Sequence, residues 1–516
     1  MTQRLAITIG SQNGHILARA DRNAEKSGGI QLFDFVRIGR VVGRIIRIED
    51  GHDFASDTEI SRIAAVCLST GREPDLDIQN KLHKKLHIET LGEILPGGEL
   101  SEYTDGIGYF EPVTTADSFD IARLYPCAQG ITIGNVASGW KTTSVPFKLS
   151  LDTTLTRHML VVGKNGSGKT NFLKELIAAN LTTEEPMAML VFGHPDIGAD
   201  NPNDRGTKGV AALESERVIT VGYDRTIKLS PQEIDLPDIF DQFPDMSTSM
   251  RDLWYYMRNR EPDTFIQTLA RYDLTTDPLT IIRKTQKDPT TKQNKTVGVA
   301  TVATIDAVCK QARILNNYVD GTAAPVVSQI LGDLKRGKTV LVNTFNMTDY
   351  YQGLFVRLLL GRLQRSGKNA MHKKISQRFL VVIDEAQHFI KRAGDSIAEF
   401  VMECRKFGIT LVLSTQSPKS IPDNVYSQIY STIAFHLNRA DAQVLLEAAP
   451  SLADAKSIIQ RPPLKRTMGI AVVQALGYPY PAVIRVPRFE RRFDRKTTLE
   501  TQPQPQIQPK QQEVTA

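Results

Sequence analysis

Three observations predict an α/β chain: a mostly parallel sheet covered by helices, preceded by a separate β-rich domain. First, Met159–Val162 reads as a buried strand that runs directly into Gly163-Lys164-Asn165-Gly166-Ser167-Gly168-Lys169-Thr170 and then into the helical run FLKELIAA. Second, from about residue 146 apolar runs alternate with helical patterns, the signature of strands joined by crossover helices. Third, residues 1 to about 145 are dense in β-branched residues broken by glycines and turn clusters.

Composition sets the outer bounds. The chain has 516 residues, 41% of them apolar and 23% charged, which is the balance of an ordinary globular protein with room for several domains. A net charge of +6 permits contact with nucleic acid without requiring it. Cys67, Cys127, Cys309 and Cys404 lie far apart with no CxxC pair, so neither a zinc site nor a disulfide framework is implied, and a reduced, cytoplasmic setting is expected. The N-terminal segment lacks the apolar core of a signal peptide, and no apolar run is long enough to span a bilayer, so no membrane association is expected.

Within the first domain, 1–145, VRIGRVVGRIIRI (36–48) carries its β-branched residues around Gly39 and Gly43, and turn clusters follow at 49–51, 96–98 and 104–106. This pattern suggests a small closed β-barrel. Arg37, Arg40, Arg44 and Arg47 could line a DNA-facing stripe, but on a half-buried strand the solvated face is the preferred reading. His83 and His87 in HKKLH have helical i, i+4 spacing, with no third ligand nearby to complete a metal site.

The second domain, 146–490, adds AMLVF (188–192), RVITVG (217–222), TVLVN (339–343), FLVVI (379–383), ITLVLST (409–415), STIAFHL (431–437) and MGIAVVQ (468–474) to the first strand, which together predict a RecA-like core. A helical insert interrupts it at about 231–336. There Val302, Ile305, Val308, Ala312 and Leu315 form one stripe, and Leu253, Trp254 and Met257 another. Within the insert, RKTQKDPTTKQNK (283–295) has five basic residues against one acidic and is expected to be an exposed, mobile loop. The Gln- and Pro-rich tail, 491–516, cannot bury enough to fold alone and is expected to be disordered or to brace a neighbouring subunit.

The chemistry concentrates at a few positions. Gly163 through Thr170 match the pattern of a phosphate-cradling P-loop: its glycines turn successive N–H groups onto an anion at a helix N-terminus, Lys169 reaches the β- and γ-phosphates, and the Thr170 hydroxyl holds Mg²⁺. Asn171, the next residue, is counted with them as nucleotide-binding. The expected cofactors are therefore ATP and Mg²⁺. FLVVI delivers Asp384 beside the Thr170-bound metal and Glu385 where it can act on water, as catalytic base. Gln416 ends the next strand, where a polar side chain can sense the γ-phosphate.

A β-rich domain, VPFKLSLDTTLTRHMLVVGKNGSGKTN, a helical insert, VVIDEAQHF and ECRKFGITLVLSTQSPKSIPDNVYSQI together resemble the HerA family of ring ATPases, relatives of FtsK and of conjugative motor ATPases. The resemblance implies homohexamers that translocate double-stranded DNA, with Lys169, Asp384 and Glu385 as ATPase residues and an arginine, for which Arg405 is the candidate, reaching the neighbour's γ-phosphate. One departure stands out: where the family has something like DPHGEY this chain has VFGHPDIGAD, with Asp196 as the nearest acidic group. Lys391-Arg392 is a basic pair placed to couple hydrolysis to a grip on DNA, or a solvated helix end. Two functions remain open on the sequence. One is a helicase-type translocase that drives a nuclease partner in DNA end processing or antiviral defence. The other is an ATP-binding ring scaffold that controls a separate nuclease or sirtuin-like NAD-consuming effector.

Overall fold

The computed structural model describes residues 4–493 apart from 13, 55, 72, 128, 201–206, 225, 274–282, 288–293, 299, 374–376, 389–394 and 463–468. The first sheet is built from β1 (Arg4–Gln12), β2 (His15–Ala20), β3 (Phe35–Ile38), β4 (Val41–His52), β5 (Leu82–Ile94), β6 (Leu100–Ser101) and β7 (Pro112–Thr115), in the order β2-β1-β7-β3-β4-β5-β6. β2 also pairs with β5, Ile16 opposite Ile88, so the ladders return on themselves. Register shifts at Thr8/Gly10, Val42/Gly43 and Ile45/Arg47 let these antiparallel strands bend, and the enclosed core holds Leu5, Val36, Ile45, Leu86, Ile88 and Val113. Gly43 is required by contact: a Cβ there would lie 2.7 Å from Ile88 Cγ2 and 2.9 Å from the Glu89 carbonyl.

This sheet decides two readings that the sequence left open. HKKLH lies in β5, not in a helix, because its residues pair across to 47–51 of β4; His87 Nε2 lies 3.0 Å from Glu49. The four arginines form no open stripe, since each meets a carboxylate: Arg37 Asp120, Arg40 Glu93, Arg44 Glu89 and Arg47 Glu49. Arg44 is buried and also donates to the Pro481 carbonyl at 2.5 Å, tying this sheet to the second domain.

The second sheet contains β8 (Gly130–Ser138), β9 (Lys141–Ser150), β10 (His158–Val162), β11 (Ala188–Gly193) and β12 (Val218–Val221). After a separate hairpin, β13 (Arg283–Lys287) and β14 (Asn294–Gly298), it continues with β15 (Thr339–Asn343), β16 (Phe379–Ile383), β17 (Ile409–Thr415), β18 (Ile429–Ala434), β19 (Ile470–Gln474) and β20 (Ala482–Arg485). The order is β12-β15-β11-β16-β17-β10-β18-β19-β20-β8-β9. Every pair from β12 to β18 is parallel, and β19, β20, β8 and β9 extend the sheet antiparallel. β8 and β9, both of which begin before residue 145, thus pair inside the second sheet; β8 joins through Val136 and Asn135 to β20, a short strand that carries too little pattern to be foreseen.

The insert is helical as expected over Leu236–Gln242, Thr248–Arg260, Phe265–Arg271, Val302–Asn316 and Val326–Lys335. Both predicted stripes are buried except Val302, which is exposed as the first residue of its helix. The basic segment 283–295 contains strands where a loop was expected: Lys284, Thr285 and Gln286 pair with Val297, Thr296 and Lys295. Lys391-Arg392 and residues 494–516 lie outside the described residues. The start of the predicted tail is anchored, for Arg492 makes a two-point ion pair with the buried Glu175. Among the described residues no helix is long and apolar enough to cross a membrane.

Candidate active site

β10 is the middle strand of the eleven-stranded sheet, flanked by β17 and β18, and all three parallel strands deliver their C-terminal ends to one edge, where open α/β sheets bind ligands. The loop after β10 is fixed by its neighbours: Gly163 N–H donates to the Thr415 carbonyl and Lys164 N–H to the His436 carbonyl. Gly166 (φ 71°) and Gly168 (φ 116°) adopt backbone conformations that a side chain would strain, and a Cβ on Gly163 would lie 2.5 Å from Ser167 Oγ. The helix Lys169–Leu181 follows at once, so its N-terminus faces the loop's concavity.

Lys169 is buried and donates to the Gly163 carbonyl at 2.8 Å. Burial lowers its pKa, while Glu385 and Asp384 pull it up again. Ser167 Oγ is buried with no hydrogen-bond partner among the described residues, a donor left over for a ligand. Lys164 turns away to Asp441, 2.5 Å distant. Asn165 and Thr170 line a cleft of about 550 Å³ together with His194, Asp196, Asp384, Glu385 and Gln416. Asn171 is spent differently from the expectation: its amide donates to the Pro487 carbonyl at 2.7 Å and its oxygen accepts from Phe489 N–H at 2.9 Å, which clamps the C-terminal segment to the P-loop helix.

The carboxylates enter from the neighbouring strand. Asp384 follows β16 and is buried; it accepts from Ser414 Oγ at 2.8 Å and from the Glu385 N–H at 3.0 Å. Burial is the largest influence on its carboxyl and raises its pKa, with Glu385 adding to the rise. Glu385 sits at φ 51°, a conformation that costs a non-glycine residue roughly 1–3 kcal/mol and is kept only where the surroundings enforce it. Here they do, because Gln416 Nε2 donates to one carboxylate oxygen at 2.6 Å and Gln387 Nε2 to the other. Gln387 in turn accepts from Thr415 Oγ1 at 2.8 Å. Asp196 stands in the cleft beside His194, 3.3 Å away, and the His194 ring packs edge-on against Phe345.

The structure therefore brings Asn165, Thr170, Asp384, Glu385 and Gln416 to one cleft, with the rest of the loop from Gly163 beside it and Lys164 turned to Asp441. Ser414 and Gln387, which the sequence did not single out, complete the set. Arg405 is not brought in. It is exposed in a 3-10 turn before β17, at the opposite edge of the sheet, and the 7 residues of β17 span about 23 Å.

The donor set fits ATP and Mg²⁺: a buried lysine, an unpaired buried hydroxyl and a concave loop of N–H groups for phosphate, with Thr170 and Asp384 opening on the same cleft for the metal. Such a cation supplies positive charge that polarises the terminal phosphate and holds Asp384 ionised against its burial. Strand, loop and paired carboxylates define a P-loop nucleoside triphosphatase. Residues 131–363 match the family model described as "Helicase HerA, central domain". A protein of Sulfurisphaera tokodaii described as DNA double-strand break repair helicase HerA is 29% identical over 184 residues, 34% of this chain and 36% of that one. Its Saccharolobus solfataricus counterpart is 24% identical over 184 residues, 34% and 35%. The matched region thus spans about a third of the curated relatives. Among solved structures, plasmid coupling protein TrwB in complex with ADP and Mg²⁺ is similar at a TM-score of 0.47 and 15% identity, covering 72% of this chain and 93% of that one. Over residues 131–363 the chain is thus similar to the central domain of HerA helicases, and the site built on that region is that of an ATPase.

Proposed function

We propose that the protein is an ATP-driven translocase of double-stranded DNA that works as a homohexamer, with the first sheet closed as a small barrel and a nuclease or other effector as its partner. The observation that carries this reading is the composition of the cleft. Among the described residues it is lined by Asn165 and Thr170 of the P-loop, Asp384 for the metal, and Glu385 held at both oxygens as base, yet no arginine lines it. Charge that develops on the transferred phosphoryl group requires a further cation. Arg405, exposed at the opposite edge, can serve only a neighbouring copy, and a head-to-tail interface of that kind closes into a ring. In each site Lys169 and the P-loop N–H groups bind and orient the nucleotide. Glu385 takes a proton from the attacking water, and Gln416 holds Glu385 and reports on the phosphate beyond it. The HerA relatives are described as helicases of DNA double-strand break repair, which supports DNA as the track.

The test measures ATPase rate with and without duplex DNA over a range of salt, for the protein alone and with the protein encoded beside it. Acceleration by duplex DNA that fades steeply with salt is expected, because a motor grips phosphates. No DNA response in either preparation, with ATP-dependent control of the neighbour's activity, would overturn translocation and favour the scaffold.

A further inference from the structure

We infer that His158 is a positioning residue for Arg405, linking the P-loop strand of one subunit to the arginine that it lends to the next. The inference rests on the reading of Arg405 as the cation acting across the interface. His158 opens β10, the strand whose other end is the P-loop, and it is buried. Its Nδ1 lies 3.1 Å from the Leu411 N–H and so accepts from it, which leaves Nε2 as the protonated nitrogen, and Nε2 donates to the Val401 carbonyl at 2.8 Å. Burial favours this neutral ring.

The two partners differ in kind. Leu411 belongs to β17, the strand that leads into Gln416, whereas Val401 belongs to the helix Asp395–Cys404, whose next residue is Arg405. Cys404 is buried on the same ring, its Sγ 3.8 Å from His158 Nε2. Beyond Arg405 the chain must turn at Gly408, φ 75°, where a Cβ would lie 2.0 Å from the Gln377 carbonyl. The arginine is thus mounted on a turn between a fixed glycine and a helix end, and the side chain that fastens that helix end comes from the P-loop strand. A shift of β10 on nucleotide binding is transmitted to the Val401 carbonyl, and from there to the arginine presented to the neighbour.

Single substitutions that retain one bond each separate the two roles. The short amide in His158→Asn keeps an acceptor near Nδ1 but cannot reach Val401, whereas His158→Gln keeps a donor near Nε2. A misplacement of about 1 Å costs up to roughly 10²-fold in rate, so H158N is expected to lose about tenfold or more in turnover with ATP affinity unchanged, and H158Q to stay within about threefold of wild type. Mixed rings give the decisive result. Rings of H158N and Glu385→Gln subunits should regain turnover, because a Gln variant still lends a well-placed arginine to an intact base; rings of H158N and Arg405→Ala should not. The reverse pattern would show that His158 serves its own subunit's P-loop, and recovery in neither mixture, or equal loss in H158N and H158Q, overturns the link as well. If H158N fails to form rings, near-normal H158Q supports the proposal and an impaired H158Q refutes it. Wild-type turnover in Arg405→Ala alone would instead remove the premise, an outcome distinguishable from failure of the His158 link.

Discussion

Glu385 concentrates the chemistry of the site in one residue, since its strained backbone, its N–H on Asp384 and both carboxylate oxygens are all committed. Replacing it with Gln removes the base and also sets an amide against the Gln416 and Gln387 amides, so that one of them must rotate. ATP binding, which depends on Lys169 and the loop, should persist while turnover falls by about 10² or more. Fluorescent-nucleotide titration beside a phosphate-release assay checks both halves, and wild-type turnover would make Glu385 a structural acid. At this scale the sequence was legible where chemistry is local. Lys169, Thr170, Asp384 and Glu385 sit in contiguous motifs, and each lies in or beside the cleft. Ser414 and Gln387 were not legible because their roles depend on contacts between β16 and β17 that no single stretch encodes. Asn171 has the same character: its partners lie more than three hundred positions away.

At the scale of elements, long apolar strands and the insert's helices could be read from their periods, and the failures share a cause. HKKLH satisfies both a helical and a strand face at i, i+4, and only pairing with β4 decides. β8 and β9 have the alternation of a β-domain and lie next to one in sequence, yet they add to the far edge of the other sheet. Their turn is the join between the two sheets. Asp34 sits there, buried, accepting from Gln31 N–H at 2.7 Å and from Ser138 Oγ at 3.3 Å, and Gly139 N–H donates to the Phe33 carbonyl. Burial raises the Asp34 carboxyl from 3.8 to about 6, against the Gln31, Lys141 and Ser138 contacts that lower it. A folded-state pKa above the unfolded value stabilises below that unfolded value, and the stabilisation is lost as pH rises through the folded one. Wild-type stability should therefore decline between about pH 4 and pH 6.5, by at most about 3 kcal/mol from this group. Asp34→Asn cannot titrate, so its melting temperature relative to wild type should climb across that window. A constant difference at all pH values would refute the assignment.

The whole molecule has its P-loop and carboxylates on one edge of the parallel sheet and its exposed Arg405 on the other. On the proposed reading a single copy has a binding site without the full complement for rapid turnover, and activity is a property of the assembly. Mass photometry of the full chain with ATP should show a closed species of six copies, and a monodisperse monomer with full ATPase activity would rule out the ring. Arg405→Ala is the sharper probe. Arg405 is exposed and far from the helix-bound P-loop, so its loss should spare folding, ring formation and ATP affinity. The positive charge it places on a neighbour's phosphoryl group matters only as the transition state forms, and cations of that kind contribute roughly 10³ to 10⁵ in rate. Turnover should fall by that order while mass and nucleotide titration stay unchanged. Loss of the ring together with activity would instead assign Arg405 to holding the interface, and an intact ring with undiminished turnover would require another residue to supply the cation.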